Sequence, residues 1–133
     1  MKTSKSNFKN IKDWYHKNTL LNVVKALQKR DFIASCFPNV NLLNKNILKT
    51  IPKSATVGIP GSITIRELGI IKKLEKRGNK IIHHWRKGLT EKINKEIRKE
   101  EGLADYYLTS ANAITINGDI INIDGIGNPV KET

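Results

Sequence analysis

Two glycine-bearing turns hold the residues of this chain whose types and spacing could do chemistry. The first, Gly58-Ile-Pro-Gly61-Ser62, joins an apolar stretch to a helical one that begins near Thr64. A strand-to-helix turn of this kind directs free backbone N–H groups and the positive helix end toward one spot, which suits a phosphate or a carboxylate. Gly58, Gly61, Ser62 and Thr64 would form the cradle, with Arg66 in the first helical turn able to close on the anion. The same residues also read as an ordinary capped helix, in which Thr64 and Glu67 form a T-x-x-E capping box and Arg66 is solvated. The spacing is neither G-x-G-x-x-G nor a phosphate loop ending in Gly-Lys-Ser, so neither NAD nor ATP is expected.

The second turn, DGIGN, sets Asp124 and Asn128 among glycines, Gly125 included, that can adopt positive φ and let a ligand approach the backbone. A plain tight turn uses the same residue types. Other reactive side chains carry less. His83 and His84 are adjacent, so as strand neighbours they would point to opposite faces and could not readily chelate one metal, and Trp85 reads as packing. Cys36 is the only cysteine, which excludes an intramolecular disulfide and a cysteine cluster for iron-sulfur ligation. Within a short strand its thiol would be buried and inert.

The elements that must position these turns alternate. From about Phe8 to Arg30, Ile11, Trp14, Tyr15, Leu20, Leu21, Val24 and Leu27 recur at amphipathic-helix spacing, with residues 1–12 expected to be flexible. Phe32 to Phe37 reads as a short strand. Pro38 opens a helical stretch with Leu42, Leu43, Ile47 and Leu48 that Pro52 stops. Ala55 to Ile59 reads as a buried strand, followed by one helix from near Thr64 to about Arg77, with Gly78 as its stop. Lys80 to Ile82 is a further strand. Thr90 to Glu101 is a charged surface helix with Ile93 and Ile97 inward, leading to a strand over Ala104 to Leu108. Asn117-Gly118 lies between two apolar runs at the spacing of a tight hairpin turn. Alternation of this kind predicts an α/β domain with a mostly parallel sheet.

Length and composition narrow the classes. At 133 residues the chain reads as one domain, and no run of about 18 apolar residues is present to span a membrane. The start, MKTSKSNFKNIKDW, has no hydrophobic segment of signal-peptide type, so a cytoplasmic location is expected. Lys and Arg number 24 against 12 Asp and Glu, a net charge of +12, which raises nucleic-acid binding as a candidate. The lysines are scattered at solvent-facing helical spacing, without aromatic-interleaved patches or zinc-finger spacing, and this argues against nucleic acid as the partner.

Four stretches in order, DWYHKN (Asp13 to Asn18), SATVGIPGSITIRELGI (Ser54 to Ile70), the helix end Leu74 to Gly78, and ADYYLTSANAITINGDIINIDGIGN (Ala104 to Asn128), resemble the LUD family, named for lactate utilisation, particularly its small stand-alone members. The resemblance implies a single LUD domain over residues 1–133, with a Rossmann-like three-layer sandwich of the NagB/RpiA/CoA-transferase type and ligands at the carboxyl ends of the strands. Relatives continue after the glycine-asparagine pair with an arginine and a further strand-helix-strand portion. Here Pro129 takes the arginine position, so a C-terminally truncated product is expected.

What the resemblance implies for function is a small-anion-binding domain or accessory subunit in the oxidation of lactate to pyruvate. Asn112, Asn122, Asp124 and Asn128 would orient polar ligand groups, and partner subunits would carry the iron-sulfur redox work. The NGDIIN segment is also similar to part of methylthioribose-phosphate isomerase, whose catalytic aspartate falls on Asn112, a residue that cannot exchange protons as a carboxylate does. Coenzyme A transferases use a glutamate nucleophile, and Glu67 is accounted for by capping. An enzyme acting on a phosphorylated sugar or a coenzyme A ester is the alternative that fold relatives suggest.

Overall fold

The computed structural model describes residues 4–123. Asp124, Gly125 and Asn128, expected to hold ligand groups, lie outside the described residues. Two compact units are present, one formed by residues up to Phe37 together with Asn112–Ile121, the other by Pro38–Ala111 with the segment from Asn122.

The second unit is a parallel sheet with helices. Helix α2 (Val40–Thr50) is capped by Asn39, whose side chain accepts from the Leu42 N–H at 3.0 Å. Strand β1 (Thr56–Gly58) is central, flanked by β2 (Lys80–Ile82) and β3 (Tyr106–Tyr107) in the order β2-β1-β3, all parallel. The register aligns Gly58 with Ile82 on one side and with Tyr107 on the other. All three strands therefore end at one edge.

The expected single helix after β1 is two. Ser62 caps a short α3 (Ile63–Glu67), and α4 (Ile70–Arg77) follows after Gly69, whose φ of 65° is left-handed and ends the first segment. Ser62 Oγ accepts from the Ile65 N–H at 3.2 Å, so the Thr64–Glu67 capping box does not form, Thr64 being already inside the helix. Gly78, at φ 99°, ends α4 as the sequence predicts. Helix α5 (Glu91–Gly102) is capped by Thr90.

Val57, Ile59, Ile65, Ile70 and Leu74 form the core of this unit with Ile51 and Ala55. Polar clasps complete it. Asn79 Nδ2 donates to the carbonyls of Pro52 and Ala55, while the Arg77 guanidinium donates to the carbonyls of Leu48 and Ile51 and to Asn79 Oδ1. Arg77 is thus committed to the fold, because it satisfies carbonyls at the C-terminal end of α2 that have no partner within the helix. Asp105 accepts from both the backbone N–H and the hydroxyl of Thr56, at 2.7 and 2.8 Å.

The first unit contains α1 (Ser4–Gln28) and a hairpin of β4 (Ala113–Ile114) and β5 (Ile120–Ile121). The helix starts four residues earlier than the apolar spacing places it, and of its apolar stripe only Leu27 is buried. The strand expected over Phe32 to Phe37 does not form, and Cys36, expected to be buried in it, is an exposed free thiol. Local β-propensity there finds no neighbouring strand to pair with, and an unpaired strand is not stable. The hairpin forms as expected, with a three-residue loop. The Gly118 N–H donates to the Thr115 carbonyl at 3.0 Å, the Thr115 N–H donates to the Asp119 carbonyl at 2.9 Å, and Gly118 sits at φ 83°. This is a turn closed by a glycine bulge. Arg30 pairs with Asp119 at 2.6 Å in the same unit.

Candidate functional site

Each parallel strand is followed at its carboxyl end by a loop carrying polar side chains. The loop after β1 brings Gly61 and Ser62, that after β2 brings His83, His84 and Trp85, and that after β3 leads to Ser110. The loops are tied to the strands they leave: the Ile59 N–H donates to the Ile82 carbonyl and the Leu108 N–H to the Gly58 carbonyl, each at 2.9 Å. Ser62 Oγ and Ser110 Oγ lie 2.8 Å apart and share a proton, linking the β1 and β3 loops. Ser62 thereby does two jobs, capping α3 and joining the hydroxyl pair.

Trp85 packs against the core and organises the β2 loop. His83 stacks on it at 4.9 Å between centroids, His84 meets it edge-on at 6.4 Å, and Arg66 Cζ stands 5.0 Å from its ring centroid. A guanidinium over an indole is an attractive placement, so Arg66 is held beside the site while its charge remains available. The indole Nε1–H of Trp85 is buried and has no hydrogen-bond partner among the described residues. Such a donor is costly to leave unmatched. Burial, reinforced by the Arg86 charge, holds His83 below the ordinary histidine range and favours its neutral form.

The two histidines lie beyond β2, not within it, so strand alternation does not govern them. His84 Nδ1 is 2.7 Å from Oε1 of Glu101, a fully buried carboxyl in the last turn of α5. Glu101 continues the i, i+4 series of Ile93 and Ile97. Ile93 itself is exposed, and Glu101 is the buried member of that row. Among the described residues no group of three or more His, Cys, Asp or Glu could hold a metal ion.

The residues expected to bind ligand divide as follows. Gly61, Ser62, Thr64 and Arg66 share the β1 loop and α3; Ser62 and Arg66 make the contacts above, while Thr64 is exposed. Gly58 is buried, and its lack of a side chain has a packing cause: a Cβ there would stand 2.0 Å from the Glu101 carbonyl oxygen. Asn112 opens the hairpin, its backbone N–H donating to the Ile121 carbonyl at 3.0 Å, and Asn122 directly follows β5. Ser110 and Glu101 escaped the sequence reading, which set His84 aside as a metal ligand and took Trp85 as packing, a role it does fill beside the core. Ser110, His84 and Trp85 share a signal of position: all three follow strand ends, as Gly61 and Ser62 do.

A parallel α/β sheet with polar loops gathered at its carboxyl edge defines a class of ligand-binding domain. A family model described as the LUD domain matches residues 20–131, and the chain belongs to that family, which is associated with lactate utilisation. No curated protein and no solved structure matches the chain. No helix among the described residues is long and apolar enough to cross a membrane.

Proposed function

We propose that this chain is a small-anion-binding domain serving the oxidation of lactate to pyruvate, with its ligand seated at the carboxyl edge of β2-β1-β3. One observation carries the reading: the Ser62–Ser110 hydroxyl pair, the unpartnered indole N–H of Trp85 and the Arg66 guanidinium over that indole all belong to loops or helix leaving this edge. Hydroxyl and indole donors orient an oxyanion, and a guanidinium supplies the charge that favours it. The finer fold assignment, a three-layer NagB/RpiA/CoA-transferase-like sandwich, belongs to the same proposal, because ligands in such sheets bind at the carboxyl edge.

Electron transfer falls to partner subunits in this reading. One cysteine in the sequence cannot supply the several thiolates that an iron-sulfur cluster requires. The test is calorimetric titration of the chain with lactate, pyruvate and inorganic phosphate. Binding of at least one is expected, weakened about tenfold by Arg66→Ala and about fivefold by Ser62→Ala, as loss of one charged and one neutral hydrogen bond predicts. Absence of binding by all three would remove the reading.

A further inference from the structure

The first half of α1 carries an apolar patch that its own unit leaves open. Ile11, Trp14 and Tyr15 stand at i, i+3 and i+4, so they share one face of the helix, and each is more than half exposed. Large apolar side chains scattered singly over a surface need no explanation, but three neighbours, two of them aromatic, make a contact face. Asn18 and Asn22 follow on the same face, so the patch is about two turns long. Its polar edge is already engaged: Asn18 Nδ2 donates to the Trp14 carbonyl and Thr19 Oγ1 to the Tyr15 carbonyl, each at 2.9 Å.

The charges around the patch select what would cover it. Helix α1 holds Lys5, Lys9, Lys12, Lys17 and Lys25 against Asp13 alone. At about 100° per residue, Lys12 and Lys17 lie about 110° to either side of the patch centre, and Asp13 lies nearly opposite it. Neither of these two lysines has an ion-pair partner among the described residues. Two such helices laid face to face would bring like charges together, which argues against a second copy of this chain. A helix held in a protein groove presents apolar anchors that continue to i+7, and seven residues on from Ile11 stands Asn18. A flat anionic surface asks only for a short apolar patch of amphipathic rings with a lysine on each flank.

We propose that the Ile11–Trp14–Tyr15 face of α1 docks this chain on an anionic phospholipid surface, the helix lying in the plane of the headgroups with Lys12 and Lys17 on the lipid phosphates. Trp and Tyr suit that depth because each joins an apolar ring to a polar tip that stays wet. Lying on a bilayer is distinct from crossing it, and no helix among the described residues is long and apolar enough to cross one. The patch is small, so adsorption is reversible and depends on the lysines. The proposal stands apart from the small-anion reading, whose residues it does not use.

Co-sedimentation of the full chain with phosphatidylcholine vesicles, with and without about one-third phosphatidylserine, tests it. Binding is expected only where phosphatidylserine is present, and it should fall as salt is raised. Trp14→Ala should weaken it about tenfold, and Lys12→Gln and Lys17→Gln about fivefold each. Those lysine variants, on the flanks of the patch, carry the test independently of Trp14. Lys72→Gln with Lys73→Gln removes the same charge from exposed positions on α4 and should leave binding within about twofold. Equal losses from the two lysine pairs would assign the adsorption to net charge and overturn the α1 site. No binding to the charged vesicles overturns the proposal and leaves an acidic protein as the occupant of the face. A lipid-free dimer in sedimentation velocity, dissociated by Trp14→Ala, overturns it as well, because a second copy would then cover the patch.

Discussion

The two units of this molecule use the same hydrophobic periodicity to opposite ends. In the sheet unit, the apolar residues of the central strand and of one face of α4 are buried: Ile70 and Leu74 on α4 and Val57 and Ile59 at β1 have no exposed surface. In the helix–hairpin unit the row is as regular, yet Ile11 is 61% exposed, Trp14 67% and Tyr15 62%. Periodicity states which residues share a face of a helix. Whether anything covers the face is a separate fact, set by the elements available to pack against it.

The comparison breaks most sharply at Gly58. Replacing it with Ala sets a methyl against the backbone of Glu101, where no rotamer change can relieve the clash, and the cost expected is at least about 3 kcal/mol. Denaturant unfolding read on a sheet-unit probe checks this; a loss under 1 kcal/mol would show that α5 shifts freely on the sheet. Leu74→Ala removes a wholly buried side chain and should cost about 2–5 kcal/mol, whereas Trp14→Ala on the open face of α1 should stay within about 0.5 kcal/mol. A large loss for Trp14→Ala would mean that the α1 face is covered in solution, and the contrast between the units would fall. Gly118→Ala lies between: at φ 83°, with a Cβ 3.1 Å from the Ala26 carbonyl carbon, it should cost about 1–2 kcal/mol, seen as faster amide exchange across β4 and β5.

Much of the sheet unit was legible in the sequence for a definable reason. Val57, Lys80 to Ile82 and the Ala104 to Leu108 run are separated by helices with clear stops, and Gly78 and Thr90 act locally, through φ and a side-chain cap, so neighbours four residues away decide them. Gly69 acts locally too, but a glycine within an apolar helical pattern is ambiguous between a tolerated residue and a break. Capping was misassigned by two residues because Ser62 and Thr64 both have the chemistry for it, and only the backbone shows that Ser62 is the residue outside the helix. Phe32 to Phe37 has strand composition without a strand to pair with. The site was half legible. Gly61, Ser62 and Arg66 stand in one loop and its helix, while Ser110 and the His84–Glu101 pair require three strand ends and the last turn of α5 to meet, which no local pattern encodes.

The smallest effect expected is also the finest comparison between the units, since each keeps one exposed aspartate below the ordinary carboxylate range. For Asp105 the cause is acceptance of the Thr56 backbone N–H and then its hydroxyl; for Asp119 it is the hydrogen bond from Arg30, then that from Thr115, then the Arg30 charge. A folded-state value below the unfolded one means that the folded chain releases the proton more readily. The stability each contributes is thus complete above the ordinary aspartate value, near pH 4, and fades as pH falls through the depressed one. Salt should separate them. An ion pair on the surface is screened, whereas a backbone hydrogen bond from a sheet strand responds far less to ionic strength. Acid titration of Asp119→Asn against the unmodified chain should therefore lose its difference at high salt, and Asp105→Asn should keep it. The same salt response at both positions would show that charge at long range, and not the Thr56 clasp, holds Asp105 ionised.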